Sequence, residues 1–256
     1  MPGMKSIFSG SCPKDLSSPE SNEDQFFFCL DSGRIAMCDG ASESYDSKLW
    51  ADILAKKYVD DPGVTADWVE AAVFDYESRN APSSLSWSKQ AAYERGSFAT
   101  LLGIEYDPGH SSVGVLAIGD SLAILFDTEE KKMIDAWPFN DPERFKEHPT
   151  LLSTLREHNA FVGKSRFWNM QSKNFKLKNI ARPFLLCMTD ALGEWALKEE
   201  LSGSAAFTKL VAISSEEELA ALVVEERSAK RMRIDDSTLL TFSFDCQENG
   251  NGLSIL

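Results

Sequence analysis

The sequence predicts an α+β fold: two antiparallel sheets packed face to face, with helices on their outer faces, in a four-layer α-β-β-α sandwich. Three observations carry that expectation. Strand-like runs cluster together and helix-like runs cluster together, whereas a parallel sheet would alternate them strictly. Short connectors such as Asp31-Ser32-Gly33 and Gly119-Asp120 join successive apolar runs as hairpins do. Runs such as VGVLAI and FLLCM are apolar throughout, the mark of a buried strand.

A first short strand is expected over Lys5–Ser9, followed by a Ser/Pro-rich loop. Strands then fall over Gln25–Leu30 and Arg34–Cys38. A helix opens at Asp46 or Ser47, with Leu49, Trp50, Ile53 and Leu54 on one face. A second opens near Thr65 and carries Trp68, Val69, Ala72, Val73 and Tyr76; a third, shorter one spans Leu85–Glu94. Strands follow over Ser97–Tyr106, Ser112–Ile118 and Ser121–Phe126. Residues 138–182 are less regular, with a helix expected around Asp141–Glu157. A strand over Phe184–Met188 leads into Thr189-Asp190. Two helices come next, the second opening on a capping box of Ser215 and Glu218. The last strand is Ser237–Phe244, before a Gly/Asn-rich tail.

At 256 residues the chain suits a single domain with a full core, and no linker divides it. The net charge of −14 argues against a general nucleic-acid binder, which needs a basic face. Cys12, Cys29, Cys38, Cys187 and Cys246 form no C-x-x-C pair, and three lie in apolar runs, which reads as free thiols in a reducing compartment. No signal peptide is visible, and the longest apolar run is broken by Gly119-Asp120-Ser121, so the expectation is a cytoplasmic protein with no membrane span.

The position of the acids is more informative. Asp39, Asp120 and Asp190 end apolar strands; Asp235 and Asp236 precede one, as do Glu23 and Asp24. Each alone reads as a turn residue. Together, on neighbouring strands, they would converge and repel unless divalent cations offset their charge. All-oxygen donors point to Mg²⁺ or Mn²⁺ rather than zinc, and His110, His148 and His158 show no zinc spacing.

The ordered set Asn22-Glu23-Asp24, Asp39-Gly40, Gly96-Ser97-x-Ala99-Thr100, Gly119-Asp120-Ser121, Thr189-Asp190-Ala191-Leu192 and Asp235-Asp236-Ser237-Thr238 resembles the metal-dependent serine/threonine protein phosphatases, the PPM or type 2C family. The resemblance runs from about residue 5 to residue 245 and points to a divergent, bacterial branch. It implies two metal ions bridged by Asp39, one of them also bound by the Gly40 carbonyl, with Asp190 and Asp235 completing the other side. Glu23 and Asp24 would hold metal-bound waters, touching the metals directly or through those waters, with Glu23 counted among the metal ligands, and Asp120 would sit near a weaker third ion. A hydroxide shared by the two metals would then hydrolyse phosphoserine or phosphothreonine in proteins, with Asp39, Glu23 and Asp24 as the catalytic acids. The segment 138–182 stands where that family has its flap. A phosphorylated protein substrate and a cognate serine/threonine kinase follow as partners in signalling, with a monomeric enzyme.

The run DGASES replaces a more usual glycine pair, Thr189-Asp190-Ala191 replaces Ser-Asp-Gly, and two further departures bear on phosphate binding and acid catalysis. Pro19 stands where many members have a phosphate-binding arginine, and Ala41 where some carry a histidine proposed to protonate the leaving group. Lys14, Arg34 or a lysine of the flap are the candidates to hold phosphate instead. The segment 161–178 interleaves Lys164, Arg166, Lys173, Lys176 and Lys178 with Phe161, Phe167, Trp168 and Phe175. It reads as a solvated loop with its aromatics in the core, ahead of a docking surface for phosphoprotein. Lys230-Arg231-Met232-Arg233 reads as a counterweight to a helix dipole. Two rivals stand beside the phosphatase: a catalytically weak or inactive module that uses the same fold to bind, and a two-metal nuclease or nucleotide hydrolase.

Overall fold

The structure is a computed structural model that describes residues 3–42, 44–80 and 87–245. Strands are numbered along the chain. One five-stranded sheet contains β1 (Met4–Cys12), β7 (Leu122–Asp127), β8 (Lys132–Trp137), β11 (Pro183–Met188) and β12 (Ser237–Phe244), in the order β1-β12-β11-β7-β8. The other contains β2 (Gln25–Cys29), β3 (Arg34–Cys38), β5 (Leu101–Asp107), β6 (Ser112–Ile118) and β10 (Ser172–Lys176), in the order β10-β6-β5-β3-β2. Every pairing in both sheets is antiparallel. A separate pair joins β4 (Phe98–Ala99) to β9 (Leu152–Ser153).

The four expected layers follow from the period of two along the strands. On β11, Leu185 and Cys187 face the other sheet, while Leu186 and Met188 face a helical layer. On β3, Ile35 and Met37 point between the sheets, while Ala36 and Cys38 meet helices on the other side. The middle core is completed by Leu102, Ile104, Val115, Leu125, Leu240 and Phe242.

Helices α1 (Ser47–Asp60) and α2 (Ala66–Arg79) cover the β2/β3/β5 sheet. Asp46 caps the first by accepting from the Leu49 amide, and Thr65 caps the second by accepting from the Trp68 amide. All five residues expected on the apolar face of α2 are buried. On α1, Trp50, Ile53 and Leu54 are buried and Leu49 is half-buried. The third helix, α3, is described over Trp87–Glu94, so the expected start at Leu85 lies outside the described residues. A short helix α4 (Phe167–Gln171) precedes β10. Helices α5 (Asp190–Leu201), α6 (Ala206–Val211) and α7 (Glu216–Ser228) cover the other sheet. Ser215 caps α7 as expected, accepting from the Glu218 amide, but Glu218 reaches back to the Ser214 amide at 2.8 Å.

The expected helix over Asp141–Glu157 is not formed. The segment makes a 3-10 turn (Pro142–Lys146), an extended stretch, β9, and a second 3-10 turn (Arg156–Asn159). Pro149 lacks an amide and holds His148 out of helical geometry. The Asn159 side chain satisfies both the Ser153 amide (2.9 Å) and the Ser153 carbonyl (2.7 Å). The expected strand Ser97–Tyr106 is interrupted at Thr100. Three helices, not two, follow β11. Strands β8 and β10 went unforeseen because they are sheet edges: their polar residues face water and leave little apolar alternation. Of the cysteines, Cys12, Cys29, Cys38 and Cys187 are free thiols; Cys246 lies outside the described residues. No helix among the described residues is long and apolar enough to cross a membrane.

Candidate active site

The strand ends that carry the acids meet at one end of the sandwich. Asp39 follows β3, Asp190 follows β11, and Asp235 precedes β12. Asp120 lies in the tight turn that carries the chain from β6 in one sheet to β7 in the other. Together with Gly40, these acids line a cleft of about 360 Å³. Thr100, Lys146, His148 and Arg233 line it too.

Backbone pairing fixes Asp39. Its amide donates to the Thr100 hydroxyl (2.9 Å) and its carbonyl accepts from the Thr100 amide (2.9 Å). The Thr100 hydroxyl is shared in turn with Ser121 (2.9 Å). Gly119, with φ +109, makes the turn before Asp120 possible and lies against Thr100. Gly40 packs on the start of α1: a Cβ there would come within 2.9 Å of Ser47.

Asp24 and Glu23 do not line the cleft. Asp24 is buried beneath it, where one carboxylate oxygen accepts from the hydroxyls of Thr238 (2.6 Å) and Thr189 (3.1 Å). Its other oxygen is buried with no hydrogen-bond partner. Glu23 is held at the rim by Lys14 (2.6 Å) and by the Ser47 hydroxyl. Asp236, absent from the expected ligand set, is a scaffold residue: it accepts from the amides of Lys14 (2.7 Å) and Glu23 (2.9 Å).

The electrostatics are those of crowded carboxylates. Burial raises the Asp39 pKa well above the usual range, and the charges of Asp24, Asp235 and Asp120 raise it further, against a lowering by Arg233. Burial pushes Asp24 up to about 7, its threonine donors pulling down and Asp236 and Asp235 pushing up. Asp120 is raised by burial and held back by Arg233. For Glu23 burial acts upward but is outweighed by hydrogen bonds from Lys14, Ser42 and Ser47, leaving its pKa lowered.

Asp190 opens α5, where the helix dipole favours an acid. One of its oxygens is ion-paired with Arg233, and the other is buried without a partner. Arg233 is thus a cleft residue, not merely a counterweight at the end of α7. Its place two residues before Asp235, at a strand rim, was the signal in the sequence. His148 enters the cleft on the irregular stretch between β8 and β9 and carried no such signal.

The donor set suits hard divalent ions in its chemistry: carboxylate oxygens, one of them, on Asp190, buried and unpartnered, at sites where the acids disfavour each other's charge. Its spacing is open. Among the described residues, no three His, Cys, Asp or Glu side chains stand close enough together to hold a metal ion.

The phosphate-binding candidates separate cleanly. Arg34 lies at the far end of β3 from Asp39 and donates to the carbonyls of Val59 (3.1 Å) and Asp60 (2.8 Å). Lys14 reaches the cleft rim through Ser42 (2.6 Å). Lys164 and Arg166 line a different cavity, of about 560 Å³, with Phe161, Phe167 and Met170. Phe167 and Phe175 are buried, as a loop with its aromatics in the core requires, whereas Trp168 is exposed.

No protein-family model matches this chain, and no curated protein sequence matches it. Solved structures do. The Mycobacterium tuberculosis serine/threonine phosphatase PstP/Ppp aligns over 95% of this chain and 100% of its own, at 18% identity and a TM-score of 0.54. The catalytic domain of the serine threonine protein phosphatase PstP, in complex with two manganese ions, aligns over 96% and 100%, at 14% identity and a TM-score of 0.56. The S. agalactiae serine/threonine phosphatase aligns over 93% and 98%, at 12% identity and a TM-score of 0.54. The fold is that of the PPM-type serine/threonine phosphatases. The likeness extends along nearly the whole of this chain.

Proposed function

We propose that the chain is a metal-dependent phosphatase of phosphoserine and phosphothreonine in proteins. The observation that carries this is the meeting of Asp39, Asp120, Asp190 and Asp235 on one cleft of a PPM-type fold. Asp39, Asp190, Asp235 and the Gly40 carbonyl would hold two Mn²⁺ or Mg²⁺ ions, with Asp120 beside a weaker third. Such ions would supply an activated water near neutral pH and offset the charge of the phosphoryl oxygens.

The chain's own residues do the rest. Asp24 lies beneath the cleft, close enough to Asp39 for their charges to oppose each other, and Glu23 stands at the rim with Lys14. The Thr100 hydroxyl fixes the backbone of Asp39. Lys146 and Arg233 line the cleft as cations for a phosphate, where Pro19 offers none, and Lys14 stands at the rim. Ala41 has no proton to give; His148 lines the same cleft and takes the role of donor to the departing serine or threonine oxygen.

The substrate is a phosphorylated protein and its counterpart a serine/threonine kinase, in a cytoplasmic signalling pair. The chain acts as a monomeric single domain, with residues 138–182 as the flap. A binding module without turnover is the second reading. It is favoured by the pairing of Arg233 with Asp190 and of Lys14 with Glu23, which supplies positive charge from within.

The test is turnover of p-nitrophenyl phosphate and of a phosphothreonine peptide with added Mn²⁺. Wild type should turn over both, and Asp39→Asn should lose at least a hundredfold. Equal rates for the two proteins, or no turnover by wild type, would favour the binding module.

A further inference from the structure

Arg233 lies in the loop between α7 and β12, and its guanidinium enters the cleft to pair with one oxygen of Asp190. Its Nε is 3.9 Å from Glu194, one turn further along α5. The same charge is felt by Asp39 and Asp120, whose carboxyls it pulls down against their burial. A cation therefore already stands against Asp190 in the cleft.

We propose that Arg233 is a built-in counter-ion that occupies Asp190 in competition with a divalent cation, and so weakens the chain's hold on one metal ion. The proposal rests on the reading of these acids as metal ligands.

Arginine and a divalent ion both require the Asp190 carboxylate. The free oxygen of Asp190 is buried without a partner, so the carboxylate holds one unmet acceptor while its other side is closed by the guanidinium. A dication arriving there meets a fixed positive charge at ion-pair distance from its own ligand, and binds only when that charge is displaced. The Arg233 side chain is 36% exposed, so solvent offers it a place to go. Binding that needs a minor, open arrangement is weakened by the fraction in which that arrangement occurs. A pair closed nine-tenths of the time costs about tenfold in apparent affinity.

The experiment is a Mn²⁺ titration followed by the electron paramagnetic resonance signal of free Mn²⁺, on wild type, Arg233→Gln, Asp190→Asn and the double variant. Arg233→Gln keeps most of the stem; Arg233→Met is the second choice, and circular dichroism checks that each is folded. The expected result is about tenfold tighter binding, or one more ion per chain, in Arg233→Gln. That gain should vanish when Asp190→Asn is added. Equal affinity and stoichiometry in wild type and Arg233→Gln overturn the proposal and leave the phosphatase reading intact. So does a gain that survives in the double variant, because it would not pass through Asp190. No Mn²⁺ bound by any variant sinks both.

Discussion

The Thr238 hydroxyl donates to the buried carboxylate of Asp24 at 2.6 Å, while the Thr238 amide donates to the Thr189 hydroxyl at 2.9 Å. Thr189 gives its own proton to the same Asp24 oxygen. Two strands of one sheet are thereby pinned to the start of a strand in the other, directly below the cleft. Thr238→Val removes a donor from a buried acid and leaves it poorly satisfied. A loss of roughly 1–3 kcal/mol is expected in urea unfolding. Thr238→Ser should recover most of it.

The raised acids set the pH dependence of the metal-free chain. Asp24, near 7 in the folded state against about 4 unfolded, takes up its proton more readily when folded. Asp39 shifts in the same direction. The Asp24 contribution is therefore fully present below pH 4 and is lost as pH rises through about 7, and the Asp39 contribution is lost in the same direction. Unfolding in EDTA should show stability falling between pH 5 and pH 8, by on the order of 1–4 kcal/mol from Asp24. Saturating Mn²⁺ should flatten the fall. A metal-free chain more stable at pH 8 than at pH 5 would contradict the raised carboxyls.

Gly119 adopts φ +109, and a Cβ there would come within 2.6 Å of the Thr100 Cγ2. Gly119→Ala is expected to cost roughly 1–3 kcal/mol in backbone strain alone. It should also disturb Asp39 through Thr100, so Mn²⁺ affinity should fall beyond what the stability loss explains. Titration calorimetry at a temperature where the variant is fully folded checks this.

Capping gives a control remote from the cleft. Thr65 accepts from the Trp68 amide at the start of α2. Thr65→Ala should cost about 1 kcal/mol in thermal unfolding and leave Mn²⁺ binding and turnover unchanged.

Periodicity and punctuation in the sequence were enough for the layers. The alternation in β3 and β11, the capping residues Asp46, Thr65 and Ser215, and the stripe on α2 are local signals, because burial on one face forces a pattern on its own segment. The acids at strand ends were legible for the same reason: a carboxylate after a fully apolar run has to lie at a rim. What stayed hidden was decided by contacts between distant segments. The polar edge strands β8 and β10 gain their hydrogen bonds from neighbours, not from their own composition. Asp24 went under the cleft instead of into it, where Thr189, just after β11, and Thr238, on β12, hydrogen-bond one of its oxygens. His148 reached the cleft on an irregular stretch that no period announces, and the pairing of Arg233 with Asp190 joins segments far apart in the chain. Sequence by itself determined which residues must be buried and which must lie at an edge. Tertiary structure alone decided which charges face one another, since that depends on distance between segments and on the solvent excluded between them.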